Sequence, residues 1–314
     1  LSWYLAGTVF ALISTGMCQF IICQGFAKTG MFSVIIGAAA NIALDPVFIF
    51  VLGMGVKGAA IATVISQMAS CAFVLWFLLG KRPLVPITFG GYRRRVMKQV
   101  LVVGLSPFLI IASDSVLIIM MNTIIQRYGG ELQGDMLLTC NTIVQSFMLM
   151  ITMPLGGITG GTQTIMGYNY GAGRPDRIRR AEKHVLLLGI AFTAVMFLIA
   201  NLLPQYFVRI FTQDPEYTSI TNWAIRVYTL CIIPLAIEYT VVDGFTGMGI
   251  AKVAVSLSMF RKMVYMIAML VLPAVAGAQN IFYAEPISDI VASIAASSTY
   301  LLLSGKVLKD GRRF

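Results

Sequence analysis

Apolar side chains recur along this chain in windows of about twenty residues, each able to cross a hydrocarbon core of roughly 30 Å as a helix. Nine windows are read, near residues 1–25, 31–52, 58–79, 100–126, 136–168, 185–206, 219–247, 253–276 and 281–304, separated by short clusters of Gly, Pro and charged residues. The pattern predicts an all-α polytopic membrane protein with nine transmembrane helices. The fifth window is interrupted by Pro154, Gly156, Gly157, Gly160 and Gly161. Such a cluster either bends a helix or lets neighbouring helices approach closely.

Composition narrows the solvent to lipid. The 314 residues are 58% apolar and 11% charged, with a mean hydropathy of +0.84, more than a soluble domain of this size hides in one core. The net charge of +10 does not point to nucleic acid, because the basic residues occupy alternate loops instead of one patch. Lys81, Arg82, Arg93, Arg94, Arg95 and Lys98 precede the fourth window, Arg174, Arg177, Arg179, Arg180 and Lys183 follow the fifth, and Lys306, Lys309, Arg312 and Arg313 close the chain. By the positive-inside rule these segments and the C-terminus are expected in the cytoplasm of a multi-pass plasma-membrane protein. The intervening loops carry acids instead, with Glu131 and Asp135, then Asp214 and Glu216, then Glu285 at the start of the ninth window.

Catalytic and cofactor signals fail on context. Cys18, Cys23, Cys71, Cys140 and Cys231 fall in apolar windows without metal-ligand or redox spacing and read as packing residues. Gly53-Met54-Gly55-Val56-Lys57-Gly58 spells a dinucleotide-binding pattern, yet it sits in a short turn between apolar windows with no strand before it. His184 is the only histidine, which rules out a multi-histidine metal site. No nucleophile motif or phosphate loop is found. No enzyme and no cofactor are expected.

Gly25-Phe26-Ala27-Lys28 at the end of the first window is echoed by Gly249-Ile250-Ala251-Lys252 at the end of the seventh, and the same spacing carries Gly53 onto Gly277. A period of six helices keeps both copies in one orientation, as in parallel-repeat transporters. The expected architecture is a pseudo-twofold six-plus-six bundle. Residues 1–80 would be the last three helices of an N-lobe, 81–99 a cytoplasmic linker with Pro83, Pro86, Gly90 and Gly91, 100–305 a complete six-helix C-lobe, and 306–314 a cytoplasmic tail. The chain starts at Leu1 without an initiator methionine, and three preceding helices are expected to be missing.

Asp45 lies within an apolar run from Met31 to Leu52, where a charge costs roughly 2.5–3.5 kcal/mol on insertion scales and marks a functional candidate. Asn41 is one turn earlier on the same helix face, and Pro46, lacking an N–H, leaves the carbonyl of Ile42 without its helical partner. With Thr63 on the adjacent span these are hard oxygen donors for a proton, a sodium ion or an organic ammonium group. The alternative is that they hold neighbouring helices together by hydrogen bonds. Asp114, Glu238 and Asp243 are the other deep acids, candidates to line a cavity that takes substrate or ion. Arg261 and Lys262 could instead neutralise one of them, and Glu238 with Asp243 could serve structure alone.

Residues 25–63, "GFAKTGMFSVIIGAAANIALDPVFIFVLGMGVKGAAIAT", resemble the fourth-to-sixth-helix region of multidrug and toxic compound extrusion (MATE) transporters. "TQTIMGYNYGAGRPDRIRRA", Thr162 to Ala181, is similar to the family's pattern after its eighth helix, with Thr164 where the family usually has proline. "PISD", Pro286 to Asp289, is similar to its last-helix motif. The resemblance implies a member of a twelve-helix family of secondary antiporters that export organic, often cationic, drugs or toxic compounds across the cell membrane in exchange for H+ or Na+. It places Asn41, Asp45 and Thr63 in the family's cation site, with Na+ expected at Asp45 and Asn41, and Asp114 near the acidic position of the seventh helix. In the tenth helix some members have an acid directly after the proline, where this chain has Leu235 after Pro234 and its acid at Glu238. A monomer in the lipid bilayer is expected, taking small organic substrates. A flippase for lipid-linked oligosaccharides of the same superfamily, or an inactive membrane fragment, is the alternative.

Overall fold

The computed structural model describes residues 2–85, 87–88 and 90–309, which are helical with no strand among them. Pro86 of the expected linker and residues 310–314 of the expected tail lie outside the described residues, as does the side chain of Glu131. The helices are α1 (Ser2–Cys23), α2 (Ala27–Pro46), α3 (Gly55–Leu79), α4 (Arg94–Gly160), α5 (Gln163–Gly171), α6 (Pro175–Leu202), α7 (Pro204–Val208), α8 (Pro215–Tyr228), α9 (Ile232–Gly247), α10 (Ala251–Ala276) and α11 (Ala284–Lys309). Helix is the form that satisfies every backbone N–H and C=O within its own segment, which lipid demands. Among the described residues seven stretches are long and apolar enough to cross a membrane; α8 and α9 add a pair bent by 48°, and Gly7–Cys23 is a shorter apolar helix. The long α4 turns at Gly130, whose φ of 67° is open to glycine at little cost, so Phe108–Gly130 and Gln133–Gly171 are separate spans.

The chain forms two compact units, Leu1–Tyr92 and Arg93–Phe314. In the first, α1 and α2 both pack on α3 around Cys18, Ile21, Val74, Phe77 and Leu78. Small residues let the backbones close up: a Cβ at Gly37 would fall 2.2 Å from Ser70 Oγ, whose hydroxyl donates to the Ser33 carbonyl at 2.9 Å. Pro46 ends the regular winding of α2, and a wider turn over Val47–Val51 follows it, closed by the Leu52 N–H on the Val47 carbonyl at 2.9 Å. In the second unit one large core surrounds Met121, Phe147, Tyr228 and Phe282, and another surrounds Met166, Phe245 and Leu257. Outward-facing Phe50, Val56 and Leu301 are largely exposed, as the lipid-facing side of such helices should be.

The spacing that relates Gly25 to Gly249 is also a geometric one. Gly25 has φ 90° and Gly249 φ 78°, and each closes the helix before it with the same pair of hydrogen bonds. Phe26 N–H meets the Ile21 carbonyl and Gly25 N–H the Ile22 carbonyl; Ile250 N–H meets Phe245 and Gly249 N–H meets Thr246. This is a Schellman cap, in which a left-handed glycine satisfies the last carbonyls. Gly53 and Gly277 also share positive φ, at 63° and 93°.

Three glycines of the fifth window resolve as room, whereas a Cβ at Gly161 would fall 2.9 Å from the Gly157 carbonyl oxygen. A Cβ at Gly157 would meet nothing within 4 Å, and those at Gly156 and Gly160 would lie 3.9 Å and 4.0 Å from their nearest neighbours. The helix itself is interrupted just beyond, between Gly160 and Gln163. Close approach occurs elsewhere, where a Cβ on Gly167 would lie 2.6 Å from the Gly247 carbonyl oxygen.

Gly249→Ala should cost about 1–2 kcal/mol, because open space surrounds the new methyl and only the left-handed backbone is penalised. Gly247→Ala should cost more, since its Cβ would fall 2.7 Å from the Gln163 carbonyl oxygen. Thermal unfolding in detergent ranks the two, and equal melting temperatures would show that backbone clash at α5 is easily relieved.

Candidate functional site

In the first unit the two polar residues of α2 meet as their spacing requires. Asn41 Nδ2 donates to Asp45 Oδ1 at 3.3 Å, and both side chains are half-buried at the end of the helix that Pro46 terminates. No cation of the described residues lies within ion-pair distance of Asp45. The Asn41 carbonyl and the second Asp45 oxygen therefore remain as oxygen donors. Thr63 spends its hydroxyl proton on the Ala59 carbonyl of its own helix, at 2.9 Å.

In the second unit α4, α9, α10 and α11 enclose two chambers that follow one another along α4. The first, of about 360 Å³, is lined by Asn141, Gln145, Tyr228, Tyr265 and Glu285 among others. The second, of about 640 Å³, is lined by Gly156, Gly160, Gln163, Glu238 and Asp243 among others. Asp114, Tyr239, Arg261 and Lys262 line both. The open glycines of the fifth window thus make part of a cavity wall. In the first chamber Gln145 donates to the Tyr228 hydroxyl at 2.8 Å, which lies 3.3 Å from that of Tyr265, while Asn141 Oδ1 is buried with no partner among the described residues.

Charge concentrates between the chambers. Lys262 Nζ pairs with Asp114 at 2.6 Å, with side chains 11% and 57% exposed, and also donates to the Ile110 carbonyl. Arg261 takes two acids of α11 at once: Nη2 meets Glu285 Oε1 at 2.6 Å and Asp289 Oδ1 at 2.8 Å, and Nε meets the same Asp289 oxygen at 3.0 Å. Asp289 is 0% exposed, and its Oδ2 is buried without a partner. The two bases therefore serve Asp114, Glu285 and Asp289, and form no ion pair with Glu238 or Asp243. Those last two differ sharply. Asp243 receives Thr159 Oγ1 at 2.5 Å and Gln163 Nε2 at 2.8 Å, which ties α9 to the α4–α5 break. Glu238 is 5% exposed and accepts no hydrogen bond from the described residues.

Sequence reading puts Glu285 at the start of the ninth window, where α11 begins, and Asp289 only within the "PISD" stretch. Their spacing of four on a helix puts both on one face, and a buried Arg on a neighbouring span is the signal that joins them. Glu182 was passed over inside a basic cluster; it is buried in α6 and accepts from the Tyr300 hydroxyl of α11.

A family model described as MatE matches residues 111–272. The multidrug export protein MepA of Staphylococcus aureus (strain MSSA476) is 20% identical over 299 residues, covering 93% of this chain and 64% of its own length. The probable multidrug resistance protein NorM of Thermotoga maritima is 28% identical over 220 residues, 67% of this chain and 45% of its own. A multidrug resistance MATE family transporter of the MOP superfamily, solved in an outward-facing conformation, shares the fold with a TM-score of 0.89 at 22% identity, over 98% of this chain and 69% of that one. A MOP superfamily transporter from Pyrococcus furiosus, for which the reverse polarity of the binding pocket suggests a different function, gives 0.81 at 22% identity, over 92% and 64%. This chain spans 64% of the length of MepA.

Arg261→Met should cost about 3–5 kcal/mol, since it leaves two carboxylates without their cation. Asp243→Ala should cost about 1–3 kcal/mol by stranding the donors of Thr159 and Gln163. Glu238→Gln should hold or raise the melting temperature, because it removes a buried charge that accepts no hydrogen bond. Thermal unfolding of the three variants in detergent checks the order, and a Glu238→Gln variant as unstable as Arg261→Met would refute this division of roles.

Proposed function

The chain belongs to the MatE family, and from that premise we propose that it works as a secondary antiporter, exporting organic, chiefly cationic, drugs or toxic compounds across the plasma membrane in exchange for H+ or Na+. The observation that carries this reading is the Asn41–Asp45 pair: a carboxylate and an amide at 3.3 Å, inside an apolar span, with no ion pair to a described cation. A carboxylate held permanently by an arginine would be closed to a passing ion, and Asp45 has no such partner among the described residues. Loading by a proton or sodium ion removes the cost of its charge in hydrocarbon, which changes the packing of the first unit and biases an equilibrium between outward- and inward-open states; substrate acts on the same equilibrium. Multidrug export by MepA supports the drug class.

The remaining expectations join the same proposal. If the bent α8–α9 pair and the short α1 also cross, the described helices support nine spans, three of an N-lobe and six of a C-lobe, and the repeated glycine caps support parallel repeats. The basic loops put the C-terminus in the cytoplasm. The protein acts as a monomer, without a cofactor and not as an enzyme. Asp114, Glu238 and Asp243 would line the substrate or ion cavity of the second unit.

A flippase for anionic lipid-linked sugars is the second reading, favoured by Arg261 and Lys262 lining both chambers and by the reversed pocket polarity of the Pyrococcus transporter. Their engagement by Asp114, Glu285 and Asp289 weighs against it, because cations already paired offer little field to an anion.

Asp45→Asn, expressed within the longest reading frame that contains this sequence, should abolish H+- or Na+-driven efflux of ethidium while the protein stays in the membrane. Efflux at the parental rate would remove Asp45 from the mechanism, and translocation of a lipid-linked sugar in proteoliposomes without ethidium efflux would install the flippase.

A further inference from the structure

Asp114 and Lys262 form an ion pair whose two members are unequally exposed. The carboxylate is 57% exposed and the ammonium 11%, and both line the two chambers. The acid is thus open to a ligand from either chamber while the chain's own lysine occupies it. Lys262 is a compact charge on a flexible four-carbon stem, and among the described residues its other hydrogen-bond partner is the Ile110 carbonyl. Glu238 lines the larger chamber with it, is 5% exposed and accepts no hydrogen bond from the described residues. Arg261 is engaged by Glu285 and Asp289, so it is not released to serve Glu238.

We propose that Lys262 is a tethered competitor for the cation seat at Asp114, and that it transfers to Glu238 when a monovalent organic cation takes that seat. The proposal rests on the antiporter reading above and specifies how the second unit selects its ligand. Charge balance is the reason. With Lys262 fixed, an incoming cation would put two positive charges on one carboxylate and leave Glu238 bare, which a poorly solvated cavity strongly disfavours. With Lys262 moved, each cation has its own carboxylate. The Tyr239 ring, on the wall of both chambers, adds an aromatic surface of the kind that attracts organic cations. A ligand with one delocalised positive charge fits these terms, and an anion does not.

The test is binding of tetraphenylphosphonium, by equilibrium dialysis, to this chain in lipid nanodiscs. Lys262→Met frees Asp114 and should tighten binding by up to about fivefold, the change that corresponds to one half-exposed ion pair. Adding Asp114→Asn should erase the gain. Lys262→Gln, which removes the positive charge and keeps a polar side chain, tolerates folding better and carries the same expectation. Glu238→Gln should weaken binding in the parent chain by more than it does beside Lys262→Met, because only the parent needs a second seat for the lysine. Binding that is equal or weaker in both Lys262 variants, a gain that survives Asp114→Asn, equal losses from Glu238→Gln in both backgrounds, or no binding by any variant overturns the proposal. Asp45 is left unchanged in every variant compared here, so failure here and failure of the efflux test are separate results.

Discussion

A charge surrounded by hydrocarbon must be paired, protonated or occupied, and the interior of this protein is organised by that demand. Asp114, Glu238, Asp243 and Glu285 line one or both chambers of the second unit and Asp289 meets Arg261 beside them, while Arg261 and Lys262 are the bases among the described lining residues. The imbalance is met in three different ways. Arg261 gathers two acids of α11 with its fork of donors, a geometry that a lysine would not reproduce. Lys262 takes Asp114 alone. Asp243 is held by the neutral donors of Thr159 and Gln163. Glu238 has none of these, and the residue left over is where a mobile positive charge has most to offer.

The helices are placed so that this layer exists. Backbone satisfaction keeps them regular through the lipid, and several departures from regularity fall at glycine and proline. Gly25 and Gly249 end their helices in the same left-handed cap, Gly130 separates two spans in α4, and Pro46 converts the end of α2 to a wider winding. Glycines in the second half of α4 act differently. By leaving space next to Glu238 and Asp243, they contribute volume to a chamber, while Gly167 and Gly247 provide the tight helix contact nearby.

The two units handle their acids by unlike means. Asp45 is half-buried beside one amide neighbour and pairs with no cation among the described residues. Asp289 lies fully buried with an arginine against one oxygen and nothing against the other, so its surroundings are set by the chain. A protein that moves ions needs acids of the first kind, and one that keeps its helices together under changing occupancy is served by the second.

How much of this was legible in the sequence follows from distance along the chain. The apolar windows, the Asn41–Asp45 contact and the repeated Gly25 and Gly249 turns depend on residues a few positions apart, and local backbone geometry alone relates such residues. The family likeness rests on stretches of the same local kind. Pairings across helices were not legible: Arg261 reaches acids 24 and 28 residues away, and Lys262 reaches α4 across 152. Although adjacent in sequence, these two bases leave the helix in directions about 100° apart, and only the packing of α4 and α11 against α10 decides which acid each one meets. The glycines of the fifth window were equally open to contact or to space until the neighbouring helix was in position. Sequence determined that the chain is helical, lipid-embedded and carries acids at depth, because lipid imposes those terms on each segment separately; tertiary structure alone decided which acids are already spoken for, because that depends on what the other helices bring to the same place.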